Sequence, residues 1–542
     1  MPTTLRHKDH IPDILDCLAQ LSNDEVPTPP KLARAMLDLL PAEVWSNPDY
    51  KWLDPGCKSG VFLREVAARL LEGLAEWQPD FAKRREHIFR HMLYGSSVTE
   101  MTGQIARRSV YYSRDASSEH SVVCFDSEAG NIAFVPTKHT FNHGRCAVCG
   151  APEDLERGDK RENYAYAFIH GTYPTKEMSA MKFDVIVGNP PYQIGTEGHG
   201  ATASTVYNKF VEKAIDVNPR YVVMITPSRW FSGGKGLDGF RDRMINERHI
   251  KAIVDNPKVY DCFPGVKIEG GVSYFLWDRS HNGNCDFSIR VDGQITSTVK
   301  RDLRDGDGVV VRDNRAINII RKTKKLTDLR VEDVSSVTKP FGLTMRSNYP
   351  GSVPEPFDGA VPLIYGTKIG YSRTNQIQRN HDWIDCWKVL LPMAFGDVGG
   401  SYSDDSGIAK FTVLGEPIAL APGSACTQTY FIPGMFNTRV ETENFAYYLA
   451  TKFVRFLVLQ RKTTQHVTPD RFRFVPMLDM KRRWTDEDLY DRFKLTREER
   501  DYVEKTIKPR SVNLSLDSPI PASHLPGGAK YRPGLVREEE DE

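Results

Sequence analysis

The chain has 542 residues, 40% of them hydrophobic and 26% charged, which excludes a single small module or a disordered chain and predicts roughly two to four packed units. Its apolar runs, such as Tyr221 to Pro227, fall far short of the roughly 20 residues that cross a bilayer, and MPTTLRHKDH lacks a signal peptide's apolar stretch, so a soluble, cytoplasmic protein with no membrane partner is expected. A net charge of +1 leaves nucleic acid open as a partner, and nine cysteines of which only Cys146 and Cys149 lie close together exclude a disulfide scaffold.

In chain order, residues 1–50 read as an N-terminal helical region carrying EVPTPPKLARAMLDLL. From Lys51 to Trp277 the runs KWLDPG, HMLYGS, FDVIVGN, YVVMITP, IKAIVDN and GVSYFLW alternate with amphipathic segments, the pattern of a parallel sheet flanked by helices. Val206, Phe210, Ala214 and Val217 recur at helical spacing, which places a helix within Ala203 to Val217 and a βαβ unit around FDVIVGNPPY. After about Lys300 the texture turns irregular, β-rich and heavy in Gly, Pro and Asn, broken by the helical FAYYLATKFVRFLVLQRK. The expected organisation is α/β: a catalytic Rossmann-like domain over 51–300 with an insertion at about 120–165, a mixed α/β domain over 301–530, and a disordered acidic tail over 531–542.

Two motifs carry chemistry. In LDPGCKSGVF an apolar strand breaks into a turn of small residues, Gly56, Ser59 and Gly60, and enters a helix; backbone amides and the helix N-terminus can approach a ligand there, and Asp54 can bond a ligand amine or hydroxyl. In FDVIVGNPPYQ a buried strand ends in Asn189-Pro190-Pro191-Tyr192. The prolines fix the backbone and remove donors, leaving the Asn189 side-chain oxygen and the Pro190 carbonyl as acceptors for an amine, with Tyr192 as a flat face for a base to stack on. A rigid Pro-Pro turn after a core strand is the plain alternative.

Together these motifs resemble the cofactor and catalytic signatures of amino-methyltransferases, and their order resembles the gamma class of N6-adenine DNA methyltransferases; PSRWFSGGKGLDGFR and FPGVKIEGGVSYFLWD resemble the Type II restriction-modification kind. The resemblance implies an S-adenosylmethionine-dependent methyltransferase sheet and a C-terminal target-recognition domain, with double-stranded DNA as substrate and restriction assigned to a separate endonuclease. It also implies that Asn189, Pro190, Pro191 and Tyr192 hold a flipped adenine, that Thr28 sits near the cofactor carboxylate, that Asp54, Gly56, Ser59 and Gly60 line its methionine and ribose side, and that Phe62 packs nearby. Lys58 stands where the family has glycine, and Glu100 substitutes for the missing acidic residue at the second strand end. The third strand is either NIAFVP or YAYAFIH, with Asp126 or His170 as contacts for the cofactor's adenine. N4-cytosine and protein glutamine methylation are the rival readings; Asn in place of Ser favours adenine over cytosine, and about 240 further C-terminal residues argue against glutamine.

CAVCG is a C-x2-C knuckle, a half-site for structural zinc, and Cys124, His139, Cys146 and Cys149 are the expected ligands, with His143 and His120 as alternatives and reduced, metal-free cysteines as the plain reading. For DNA contact the candidates are Arg229, Trp230 and Lys235 in the loop after YVVMITP, and Arg461, Lys462 and Gln465, with Thr463 and Thr464, at the exit of FVRFLVL, itself expected to be a buried helix face.

Overall fold

The computed structural model describes residues 26–151, 153, 166–173, 181–194, 204–234, 236–266, 268, 270–344, 352–366, 368–395, 411–462 and 466–515. The chain divides into two compact units, the first of residues 1–304 with 308–310 and the second of residues 305–307 with 311–542.

The first unit is built on a nine-stranded sheet. In chain order its elements are α1 (Pro30–Leu37), β1 (Trp52–Asp54), α2 (Val61–Gly73), α3 (Phe81–His87), β2 (Leu93–Ser97), α4 (Glu100–Tyr111), β3 (Ile132–Phe134), the hairpin β4 (Phe141–Asn142) and β5 (Arg145–Cys146), α5 (Ala167–His170), β6 (Val185–Gly188), the ribbon β7 (Gln193–Ile194) and β8 (Ser204–Thr205), α6 (Tyr207–Asp216), β9 (Tyr221–Pro227), α7 (Asp238–Asn246), β10 (Ile250–Asn256), β11 (Val272–Asp278), β12 (Cys285–Val291) and β13 (Gln294–Arg301). The strand order is β13-β12-β10-β11-β9-β6-β1-β2-β3.

From β3 across to β9 every pairing is parallel; β11 then runs antiparallel between β9 and β10. Central strands covered on both faces need apolar side chains at every position, so β6 is wholly buried and reads as an unbroken VIVG. Alternate residues go to opposite faces: Val185 and Val187 join Trp52, Val223 and α2 residues Val66 and Leu70 on one side, while Ile186 joins Leu53, Val222 and α6 residues Phe210 and Ala214 on the other. The outer strand β13 is largely exposed and carries Gln, Thr, Ser and Lys, a polar composition that guards an open edge.

All six strand-like runs are strands of this sheet. The third strand is Ile132–Phe134, whereas the AFIH of YAYAFIH is a turn of helix. The helix expected within Ala203 to Val217 starts only at Tyr207, because Ser204 and Thr205 pair with Gln193 and Ile194 instead.

The second unit holds two small sheets, one of Lys368–Arg373, Ala360–Tyr365 and Ala425–Cys426, the other of Tyr430–Phe436, Trp387–Pro392, Ile418–Leu420 and Asn513–Ser515. Helix Lys452–Leu459 buries seven consecutive residues from Phe453. Helices Arg439–Ala450, Asp486–Arg492 and Arg497–Thr506 are each N-capped or boxed by a threonine, Thr438, Thr485 and Thr496.

Candidate functional site

The chain leaves β1 towards β2 on one side of the sheet, and later enters β6 on the other side of β1. This is a topological switch point, where the connections diverge and leave a crevice outside the carboxyl ends of the two strands. Asp54 ends β1, and Asn189 follows β6 directly. A cleft opens there, lined by Thr28, Asp54, Gly56, Lys58, Ser59, Gly60, Val61, Phe62 and Asn189.

The turn after β1 is shaped by glycines. Gly60 takes the left-handed conformation (φ 72°) as the N-cap of α2, and a Cβ there would lie 2.9 Å from the Ala106 carbonyl oxygen. No side chain caps α2, and its N-cap Gly60 and first residues Val61 and Phe62 line the cleft at the positive end of the helix dipole. Gly188 has a comparable role across the crevice: a Cβ would stand 2.8 Å from Asp54 Oδ1. Asp54 is buried and accepts a hydrogen bond from the Gly56 amide at 3.2 Å. Burial raises its carboxyl to about 7, against the opposing pull of that amide and of the Lys58 ammonium.

Asn189 is 3% exposed. Its amide nitrogen donates to the Val26 carbonyl at 3.0 Å and to Thr28 Oγ1 at 3.1 Å, which fixes the side chain and commits both hydrogens. Its oxygen, Oδ1, is buried and has no hydrogen-bond partner among the described residues. A buried acceptor left unpaired costs about 1–3 kcal/mol, so it marks a place held ready for a donor. Tyr192 is buried beside it, its hydroxyl also without a partner, with the Tyr207 ring edge-on at 6.4 Å and the Lys58 ammonium 5.9 Å from its ring centroid. Lys58, the departure from the family turn, thus reaches the loop that carries Tyr192.

Thr28, Asp54, Gly56, Ser59, Gly60, Phe62 and Asn189 therefore converge on one cleft. Glu100 does not join them: it opens α4 and pairs with Arg107 at 3.2 Å. Asp126 lies exposed on a turn. Two further members of the site are not expected from the motifs: the Val26 carbonyl, which has no side-chain signal, and Gly188, whose signal is a glycine immediately before Asn189.

The metal and DNA assignments need correction. Cys124 is exposed and its thiol donates to the Ser117 carbonyl at 3.0 Å, whereas the fourth member of the cluster formed by His139, Cys146 and Cys149 is His170. His143 is exposed at the tip of the β4–β5 hairpin. Trp230 is 1% exposed and packs between Phe231 and Phe240, so it is core and not a DNA-facing plane. Arg461 spends its guanidinium on the carbonyls of Asp470, Gly306 and Asp307, and Lys462, fully buried, donates to the carbonyls of Phe395 and Val413. Neither cation can reach a phosphate without breaking that shell. Arg229 is half-buried, while Lys235, Thr463, Thr464 and Gln465 lie outside the described residues.

The Eco57I restriction-modification methylase family matches residues 91–263. A relative from Mycoplasma pneumoniae described as an uncharacterized adenine-specific methylase is 36% identical over 325 residues, which cover 54% of this chain and 76% of the relative. Among solved structures, the type I restriction-modification methyltransferase subunit from Streptococcus thermophilus is 12% identical, with 51% of this chain and 52% of that chain covered and a TM-score of 0.31. The type ISP enzyme LlaGI, as a nuclease-deletion mutant in complex with a DNA substrate mimic, is 12% identical, with 89% and 46% covered and a TM-score of 0.43. The chain spans about half the length of the type I subunits it matches. On the identity shared with the mycoplasmal methylase across three-quarters of its length, the chain belongs to the adenine-specific methylases.

Proposed function

We propose that the chain transfers a methyl group from S-adenosylmethionine to N6 of an adenine flipped out of duplex DNA at a specific site, as the modification component of a restriction-modification system whose endonuclease is a separate polypeptide. The observation that carries this reading is the Asn189 oxygen: a buried acceptor, held by its own amide, unpaired and facing a cleft it shares with the Asp54 turn.

The residues present fit the cofactor. The uncapped start of α2 suits its carboxylate, and buried Asp54 suits an amine or hydroxyl donor. Bound there, the cofactor supplies a methyl sulfonium, an electrophile that needs no further activation. The chain's own part is positional. Asn189 Oδ1 and the Pro190 carbonyl accept from the exocyclic amine, which favours a tetrahedral nitrogen with its lone pair directed at the methyl. The Tyr192 ring gives the extruded base a stacking face, and the apolar wall of Phe62 and Val61 excludes water. As the amine is alkylated it sheds one proton to solvent, so no general base with a shifted pKa is required.

Single-molecule methylation sequencing of DNA from cells expressing the chain tests this directly. N6-methyladenine confined to one short motif is the expected outcome. Methylation at N4 of cytosine, or none in DNA while a protein glutamine is modified, overturns it.

A further inference from the structure

The insertion between β3 and β6 brings together four side chains that the methyl-transfer reading does not use. The hairpin β4–β5 and the turn that follows it carry Cys146 and Cys149, the segment before β4 carries His139, and α5 ends in His170. One ligand atom from each lies within 4.8 Å of every other. Cys149 Sγ is 3.3 Å from His139 Nδ1, and Cys146 Sγ is 3.8 Å from His170 Nε2. Zinc bonds of about 2.3 Å to sulfur and about 2.0 Å to nitrogen give a sulfur-to-nitrogen tetrahedral edge of about 3.5 Å, between those two values. The imidazole planes stand at 86° to each other, as two vertices of a tetrahedron allow. The turn also serves the sulfurs: the Ala151 amide donates to Cys149 Sγ at 3.4 Å, and the Val148 and Cys149 amides point at Cys146. Gly150, with φ 80°, makes that turn possible.

We propose that His139, Cys146, Cys149 and His170 bind one zinc ion in a closed tetrahedral site, and that this site braces the Asn189–Tyr192 loop. Two Zn–S bonds form as two thiol protons leave to solvent, and no position remains for water, so the ion is structural. The brace runs through named contacts. The Lys209 ammonium donates to the Val148 carbonyl, and Ser204 Oγ donates to the Gly150 carbonyl at 3.4 Å. Ser204 and Thr205 pair with the two residues directly after Tyr192, the Val206 amide donates to the Tyr192 carbonyl at 3.2 Å, and Tyr207 meets the Tyr192 ring. Cys146, Cys149, Tyr192 and Tyr207 belong to one buried cluster. The bracing role rests on the reading of residues 189–192 as the methyl-transfer loop; the metal site does not.

Elemental analysis of the purified full-length chain should find about one zinc per chain. Cobalt(II) exchanged into the native protein should give the intense visible bands of a tetrahedral ion and a near-ultraviolet thiolate charge-transfer band. This readout needs no variant to fold. His170→Ala and Cys146→Ser should lose the metal or the charge-transfer intensity, while Cys124→Ser and His143→Ala keep both. A metal-free native chain, an octahedral cobalt spectrum, or loss of metal in Cys124→Ser with retention in His170→Ala overturns the site. Removing the metal from the native chain should speed amide exchange over residues 204–216 at least about tenfold while leaving the affinity for S-adenosylmethionine unchanged. Unchanged exchange there overturns the brace. None of these readouts requires methyl transfer, so failure of the metal site and failure of the proposed activity are told apart.

Discussion

The cleft of the first unit and the buried cations of the second put buried polar groups to different uses. In the first, the buried groups around the cleft are held but not saturated: Asn189 Oδ1 and the Tyr192 hydroxyl are unpaired, and the Asp54 carboxyl is raised to about 7 by burial. In the second, buried cations are packed in carbonyl shells. Lys388 donates to the carbonyls of Trp383, Ile384 and Cys386 at 2.9, 3.0 and 2.9 Å, and Arg455 to those of Ala450, Thr451 and Thr412, its Nη2 alone having no partner among the described residues. Burial lowers Lys388 to about 8 and both Arg455 and Arg461 to about 10. An unpaired buried acceptor invites a ligand, whereas a cation inside a carbonyl shell holds chain segments together. Residue type alone does not separate the two uses.

The sharpest way to break this contrast is to remove the acceptor. Asn189→Ala should lower methyl transfer by about 10²-fold or more, the scale of losing a transition-state hydrogen-bond partner, with affinity for S-adenosylmethionine within a few-fold of the parent. Radiolabelled transfer beside calorimetry checks both halves, and activity close to the parent's would void the catalytic assignment.

On the second unit the expected loss is in stability. Lys388→Met and Arg461→Met leave buried carbonyls unpaired and should each destabilise that unit by on the order of 3 kcal/mol, read from denaturant midpoints. At Arg461, the salt dependence of DNA binding should not change, because the guanidinium is not on a phosphate. A salt slope reduced by about one, with stability intact, would restore it as a DNA contact.

Asp54 gives a smaller, pH-dependent effect. A donor ligand requires the carboxylate, so affinity for the cofactor should fall by up to about tenfold per pH unit as pH drops below about 7, with proton release on binding seen by calorimetry in buffers of different ionisation heat. For the ligand-free fold the sign reverses. The fold prefers the neutral carboxyl, so this group's stabilisation is complete below the ordinary value of 3.8 and is lost as pH rises through about 7. The smallest effect belongs to Trp230→Phe, a core substitution expected to cost roughly 1–2 kcal/mol with cognate preference for DNA unchanged.

What could be read from the sequence was local. Six strands announced themselves as short apolar runs, and the two motifs carry their geometry in consecutive residues: prolines that fix φ, and glycines that admit close approach. What failed was non-local. His170 lies 24 residues after Cys146 along the chain and Cys124 a comparable distance before it, so spacing does not choose between them; Cys124 shares the chemistry of a ligand but not its place. Trp230, Arg461 and Lys462 were expected at the surface from their type; exposure is a property of the packed unit, and the carbonyl shells around the two cations come from residues as distant as Gly306 and Phe395.

Asp54 ends β1 and Asn189 directly follows the neighbouring parallel strand β6, and Gly188 allows the Asp54 carboxyl to lie against the backbone of that strand. By the register of β1 and β6, Asn189 lies two residues beyond the position level with Asp54, so on the proposed reading their offset combines one strand-to-strand spacing of about 4.8 Å with about 6.6 Å along the strand, roughly 8 Å in all. A loop breathes; a ladder of main-chain hydrogen bonds deep in a sheet does not. On the proposed function, the spacing between the two sites is set chiefly by strand geometry and less by the conformation of the surrounding turns.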